Sequence, residues 1–403
     1  MHWRILPRPK LDLHLPKTRP FIVASMFEFK LPTRLVFGRG SIRGLTDVAR
    51  EFGFRRSLLV FDQGLAATGY PDHVAELLVA ADVQVFGFNQ FVEPDTATIE
   101  GSLQIVEQLN VDSIIGLGGG SSLDCAKGIN LVLTNGGRIQ DYIGYGKAKR
   151  PMLPMIAIPT TAGTGSEVQS YAVLTDAQTH AKMACGDPKV AFKLAILDPE
   201  LTASQPREVT AASGFDAITH AVETYVTKRR TPVSQMFSRE AWKLLDANYE
   251  HVLENPNDLV AREAMQLAAC LAGVAIENSM LGATHACANP LSARYGTTHG
   301  VALAMLLPSV VRWNGPKCAE SYGELLRYSG RDYGLDDPAE TLASRLAELA
   351  RAGRLRDGLK EIDVPRSDLR VLAAEAAKQW TGTFNPRELD QAGALEIYEQ
   401  AYR

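Results

Sequence analysis

Between residue 35 and about residue 200, short β-rich runs alternate with helical stretches, and this alternation narrows the fold more than any other feature of the chain. Residues 35–37, 57–61, 83–88, 113–117, 155–158 and 194–197 read as strands. Residues 41–52, 71–81, 98–109 and 122–133 have helical spacing and good helix formers. Strand and helix in turn predict a parallel sheet wrapped by helices, an N-terminal α/β domain of the Rossmann-like, dinucleotide-binding kind. Past Pro206 the strand pattern gives way to Ala-, Leu- and Glu-rich segments broken by Gly and Pro, which predict an all-α C-terminal domain. The turn-rich stretch 198–206 puts the boundary there, with residues 26–205 as the α/β domain and residues 206–403 as the helical one.

Residues 1–25 carry Pro7, Pro9, Pro16 and Pro20 among basic residues and have neither periodicity. They are expected to be a disordered extension or a misassigned start ahead of Met26, the prolines opposing an amphipathic transit helix. The rest of the composition excludes several function classes. A length of 403 residues with 46 % apolar content is enough for two cores. A formal charge of −4 leaves no basic footprint for nucleic acid or an anionic membrane. Five cysteines at 125, 185, 270, 287 and 318 show no CxxC spacing and read as reduced thiols. No run approaches the roughly 20 apolar residues of a membrane span, so the expected location is the cytoplasm.

The run 113–122 is a buried strand entering a glycine turn, followed by a helix with Asp124 and Lys127 in its early turns. Glycines let a backbone approach a phosphate, and the helix start offers free N–H donors and partial positive charge. Gly118, Gly119, Gly120 and Ser121 therefore form a candidate pyrophosphate cradle, although Gly116-x-Gly118-x-x-Ser121 misses the strict GxGxxG pattern and equally describes a tight turn. Asp62 ends a predicted strand, where an acid can accept both ribose hydroxyls and repel a 2′-phosphate; it also suits the start of a turn before Gly64. A third loop, residues 158–167, offers Thr160, Thr161 and Thr164 after another buried strand. Three such loops at strand ends of one domain outweigh the turn reading of each.

Four of the eight histidines fall in the helical half; His251 reads as an ordinary surface or structural residue, and His220, His285 and His299 group with Asp216. Asp216 and His220 stand four apart, on one face of a helix. His285 and His299 flank Pro290, and a helix ending near Pro290 with a new one near Gly300 would turn both imidazoles toward the first helix. Each histidine alone suits a satisfied core position; together the Asp/His set suits Fe²⁺ or Zn²⁺.

Residues 118–127 (GGGSSLDCAK), 159–168 (PTTAGTGSEV), 214–221 (GFDAITHA) and 285–300, with Asn385-Pro386-Arg387, resemble the iron-containing alcohol dehydrogenase family over about residues 27–403. The resemblance implies an active site between the two domains. It puts the metal on Asp216, His220, His285 and His299, and the dinucleotide on Gly118 to Ser121, Asp124, Thr160, Thr161, Thr164 and Lys182. It also makes Asp62 the acid that favours NAD over NADP. Members similar to this chain carry a histidine four residues after the third ligand; here that position is Asn289, whose amide hydrogen-bonds a substrate or water but carries no proton near neutral pH.

The expected reaction is metal-dependent hydride transfer between a small alcohol and NAD, with Fe²⁺ in preference to Zn²⁺. The expected assembly is a homodimer or larger homo-oligomer, with no nucleic-acid or membrane partner. Two alternatives share the architecture: a hydroxyacid–oxoacid transhydrogenase, and a dehydroquinate-synthase-like NAD-dependent lyase, which resembles this chain in plan but uses a glutamate with two histidines.

Overall fold

A computed structural model describes residues 26–403 except Leu335, and residues 1–25, with the expectations placed on them, lie outside it. Nine strands are described: β1 Arg34–Phe37, β2 Arg56–Val60, β3 Gln84–Phe88, β4 Ser113–Gly118, β5 Gly144–Tyr145, β6 Met155–Pro159, β7 Tyr171–Thr175, β8 Lys182–Gly186 and β9 Leu194–Leu197. Between them run helices α1 Leu45–Phe52, α2 Tyr70–Val79, α3 Thr96–Val106 and α4 Gly120–Asn135. Six strands form one parallel sheet in the order β1-β9-β6-β4-β2-β3.

The period of two along each strand decides which helices cover which face. Leu58, Val60, Ile114 and Ala157 pack with Ile99 of α3 and Leu123, Ala126 and Ile129 of α4. Leu59, Ile115, Leu117, Ile156 and Ile158 point the other way, onto Leu45 and Val48 of α1 and Val74 and Leu78 of α2. Both faces are covered, which is why these strands read as continuous apolar runs rather than alternating ones.

Register brings the predicted loops together. Val60 stands opposite Gly116, and Gly118 opposite Pro159. The segments that leave the carboxyl ends of β2, β4 and β6 are therefore neighbours, in the crevice where open α/β sheets bind ligands. A second sheet, β5-β8-β7, was not anticipated. Strand β5 has only two residues, and β7 and β8 pair antiparallel across a short turn with no helix between them, so they fall outside the strand–helix alternation by which the other strands were read.

After β9 the chain is helical: α5 Arg207–Val226, α6 Pro232–Glu254, α7 Leu259–Ser279, α8 Ala283–Tyr295, α9 His299–Tyr328, α10 Pro338–Ala352, α11 Leu369–Ala376 and α12 Gln391–Ala401. Helix α5 packs against α6, α7 and α9. One expectation fails here, because α8 runs straight through Pro290 and ends only at Gly296, in left-handed conformation at φ 62°. A proline inside a helix costs about 3 kcal/mol, through a lost hydrogen bond and the clash of its ring with the carbonyl four residues back. Burial of Ala288 and Leu291 in the core shared with α9 and α12 offsets that cost.

Helix α7 is also long and apolar enough on average to cross a membrane, but Arg262, Glu263 and Glu277 interrupt its apolar run and 67 % of its apolar window is buried inside the protein. It joins the two halves of the fold. Gln266 Nε2 donates to Pro159 O at 3.2 Å. The Ser170 backbone N–H and hydroxyl donate to Glu277 at 2.9 and 2.6 Å. The Asn278 amide pairs with both backbone groups of Lys30 at 2.8 and 2.9 Å.

Replacing Glu277 by alanine strips the acceptor from two Ser170 donors next to the crevice. A loss of roughly 1.5–3 kcal/mol is expected, because the acceptor is charged. It should appear as a lowered urea midpoint with an unchanged m-value.

Candidate metal and cofactor site

Asp216, His220 and Glu223 follow at helical spacings of four and three, so α5 presents all three from one face. Asp216 and Glu223 are buried carboxylates that need partners. Glu223 finds them at the start of α8: Gly282 N and Thr284 N donate to it at 3.0 and 2.5 Å, and His285 Nδ1 does so at 2.7 Å. The bond from Nδ1 fixes the His285 tautomer and leaves its Nε2 lone pair pointing at Asp216, 3.6 Å from Oδ1.

His220 Nε2 lies 3.0 Å and His299 Nε2 3.9 Å from the same oxygen. His299 opens α9, and Gly300 brings it close, since a Cβ at Gly300 would sit 2.1 Å from Ala212 O on α5. The imidazoles of His220 and His285 stack at 5.0 Å between centroids, and those of His285 and His299 lie 5.3 Å apart.

Charge and burial shape this cluster. Burial alone would lower the His285 pKa, but Glu223, through its charge and hydrogen bond, and the Asp216 carboxylate facing Nε2 outweigh it and lift the metal-free imidazole to about 9, so a metal at Nε2 would displace a proton there. Asp216, which burial would raise, is held well below the usual carboxylate range by His220, His285 and His299. Asp216 Oδ1 and His285 Nε2 are nonetheless buried without a hydrogen bond. Asp216, His220 and His285 each offer a ligand atom within 4.8 Å of the others. A carboxylate oxygen and imidazole nitrogens converging with unused lone pairs fit a divalent metal of the Fe²⁺ or Zn²⁺ kind. His299 stands at the edge of the cluster with 36 % of its side chain open.

A cavity of about 770 Å³ joins this cluster to the carboxyl ends of the sheet. Gly120, Ser121, Asp124, Thr164, Lys182 and Asn289 line it together with Asp216, His220, His285 and His299. Asp62, Gly118, Gly119, Thr160 and Thr161 stand outside its wall and shape the turn instead. Gly118 has φ +138°, and a Cβ there would lie 2.4 Å from Ser122 Oγ. That hydroxyl accepts from Asp62 N at 3.1 Å and donates to Asp62 Oδ2 at 3.0 Å. Asp62 also accepts from Gly64 N and Leu65 N, so it starts a turn and braces the glycine loop at once. Thr160 N donates to Gly118 O at 3.0 Å. No side chain caps the first turn of α4, whose N–H groups remain for an anion at Gly120 and Ser121.

Asp124 is tied inward, to Ser166 Oγ at 2.6 Å and Val173 N at 3.1 Å. Beneath it the fully buried Lys127 donates to Ser166 O, Ser166 Oγ and Tyr171 O. Lys182 is paired with Glu93 on the cavity wall. Asn289 Nδ2 donates to Gln379 Oε1 at 3.1 Å.

Sequence reading missed Glu223, Glu93, Gln379 and Trp380. Glu223 alone had a signal, three residues after His220 on the same helical face. The others arrive from segments whose spacing carries no shared pattern.

A sequence profile described as Iron-containing alcohol dehydrogenase matches residues 32–199, and one described as Fe-containing alcohol dehydrogenase family, C-terminal, matches residues 210–402. The chain is 35 % identical over 381 residues to the NAD-dependent methanol dehydrogenase of Bacillus methanolicus, covering 93 % of this chain and 100 % of that one. It is 34 % identical over 384 residues to the 1,3-propanediol dehydrogenase of Citrobacter freundii, covering 94 % and 99 %. The crystal structure of a 1,3-propanediol oxidoreductase superposes with a TM-score of 0.90 at 32 % identity, covering 94 % of this chain and 100 % of that one.

Glu223→Gln keeps the shape of the carboxylate and removes its charge. Isothermal titration of the apo protein is expected to show divalent-metal affinity reduced about 10- to 100-fold, the usual cost of losing a partner behind a histidine ligand.

Proposed function

The chain belongs to the iron-containing alcohol dehydrogenase family, and on that premise we propose that Asp216, His220, His285 and His299 hold Fe²⁺ at the floor of the cavity while NAD lies across the start of α4. The observation that carries this reading is the pair of buried, unbonded atoms Asp216 Oδ1 and His285 Nε2, facing each other in the wall shared with Gly120 and Ser121. The reaction is the reversible oxidation of a small alcohol to its aldehyde or ketone, with hydride and proton leaving the carbinol as separate equivalents. When bound, the metal and the nicotinamide supply a Lewis acid for the alcohol oxygen and an acceptor for the hydride.

The chain's own residues do the rest. Glu223 keeps His285 in the tautomer that presents Nε2. The unsatisfied N–H groups at Gly120 and Ser121 receive the pyrophosphate, and Thr164 closes the loop behind them, a Cβ on Gly120 meeting its methyl at 2.7 Å. Asp62 stands beside that turn as the acid that disfavours a 2′-phosphate. Asn289, held by Gln379, offers an amide to the substrate side but exchanges no proton, so the alcohol proton leaves through water.

An aspartate with three histidines and a cavity lysine already paired to Glu93 favour the dehydrogenase over the lyase reading, which calls for a glutamate set and a basic pocket. We place the enzyme in the cytoplasm as a homo-oligomer. The edge strand β1 supports the assembly, since Leu35 and Phe37 are 36 % and 37 % exposed on it.

Chelation should abolish NADH formation from primary alcohols, and Fe²⁺ should restore it. His220→Ala is expected to lower kcat at least about 1,000-fold, the scale of losing a metal's charge stabilisation; full turnover in chelated protein would sink the reading. Asp62→Ser keeps the turn-starting oxygen and removes the charge, and should raise the NADPH-to-NADH ratio of kcat/KM about tenfold or more.

A further inference from the structure

Lys127 has no exposed surface and lies outside the cavity wall, yet its ammonium sits against three segments that form that wall. A lysine buried so completely needs partners to hold it there. Nζ donates to Ser166 O at 2.7 Å, to Ser166 Oγ at 2.8 Å and to Tyr171 O at 2.7 Å, which uses all three of its hydrogens. Asp124 Oδ1 is further off, at 3.4 Å. The short bonds thus go to neutral oxygens of a loop and a strand, and the carboxylate is the most distant of the four. Balancing the Asp124 charge would call for the opposite order.

The surroundings of β7 show what those bonds do. It is the edge strand of the small sheet, and alternate residues along it turn their backbone groups away from β8. Tyr171 O takes its bond from Lys127, Val173 N gives its bond to Asp124 Oδ2 at 3.1 Å, and Thr175 N gives its bond to Pro94 O at 3.3 Å. Two side chains of α4 stand where a neighbouring strand would.

The same pair governs the loop that precedes β7. Ser166 Oγ donates to Asp124 Oδ1 at 2.6 Å, and Ser166 N donates to Thr164 Oγ1 at 3.3 Å. That second bond orients the residue whose methyl a Cβ on Gly120 would meet at 2.7 Å. One buried ammonium therefore fixes both ends of the wall, Thr164 against the glycine turn and Tyr171 against the Trp380 ring at 5.8 Å. The small sheet it anchors also carries Lys182 into the cavity on β8.

We propose that Lys127 is a positioning residue for dinucleotide binding, clamping the 164–166 loop and the edge of β7 onto α4 so that Thr164, the glycine turn and Lys182 face the cofactor together. The assignment rests on the dehydrogenase reading for the identity of that cofactor. The clamp itself is a property of the protein without ligand.

Lys127→Met fills most of the same volume and removes the three donors. In the iron-loaded enzyme it is expected to raise KM for NAD about tenfold or more, the scale of losing charged hydrogen bonds, while kcat at saturating NAD changes by less than about threefold. Divalent-metal affinity of the apo protein, measured by isothermal titration, should be unchanged, because α5 and α8 lie outside the network. A fall in both affinities would mark a general loosening and overturn the assignment. Amide hydrogen exchange without ligand should quicken at residues 163–175 and not in α5 or α8. Asp124→Asn combined with Lys127→Met removes both charges at once, and it should remain defective; recovery of the wild-type KM would make Lys127 a mere counter-charge and overturn the proposal. Where Lys127→Met does not fold, Ser166→Ala deletes one hydroxyl of the network and should raise KM for NAD about threefold with kcat retained, an unchanged KM overturning the clamp. Failure of the wild-type protein to bind NAD sinks the dehydrogenase reading, while faster exchange confined to residues 163–175 still supports the clamp and uniform exchange overturns it.

Discussion

The buried carboxylate of Glu223 holds the site together. An unpaired charge in that position would be strongly destabilising, so its acceptor capacity has to be filled. Two backbone N–H groups at the start of α8 and the imidazole of His285 fill it, all from one helix terminus. Helix α8 cannot slide along α5 without unpairing that charge, and the partial positive charge of its N-terminus favours the same arrangement. From this one constraint follow the direction of His285 Nε2, the approach of Asp216 Oδ1 and the placement of Asn289 and Ser292 further along the same face. Gly300 sets the third side, where α9 meets the backbone of α5 closely enough to bring His299 to the cluster.

The two halves contribute different chemistry, and the cavity exists because α7 keeps them in register. The sheet half supplies a helix start with free N–H donors, a place for an anion. The helical half supplies a carboxylate and imidazoles with unused lone pairs, a place for a cation. Neither half contains both, so hydride exchange between groups held on each depends on the bonds that α7 makes to Pro159, Ser170 and Lys30. The apolar length that gives α7 the look of a membrane span is what lets it run through the interior between them.

Much of this was legible in the residues. Six strands and four helices of the sheet half were read within a few positions, because most of them bury an apolar stripe; the edge strands β1 and β3, more exposed, were legible from their β-rich composition alone. The spacing of Asp216 and His220 pointed to a shared helical face for the same local reason. Legibility failed where a local preference competed with packing at a distance. Pro290 looks like a helix end until Leu291 and Ala288 are seen buried against α9 and α12. Asp62 had two readings, a ribose acid or the start of a turn; it starts the turn and also braces Ser122, a residue 60 positions away that neither reading included. In the small sheet β5-β8-β7, β7 and β8 pair as an antiparallel hairpin, outside the strand–helix alternation that marked the other strands.

What the sequence determined by itself was local and repetitive: the order of strands and helices, the two classes of core, the glycine turn and the four candidate metal ligands. These follow from periodicity and backbone sterics acting over a few residues. Which atoms meet was decided only by tertiary structure. Glu223 beneath His285, Glu93 on Lys182, and Gln379 on Asn289 join segments far apart in the chain. Hydrogen bonding and desolvation act across space, and sequence spacing carries no record of such neighbours.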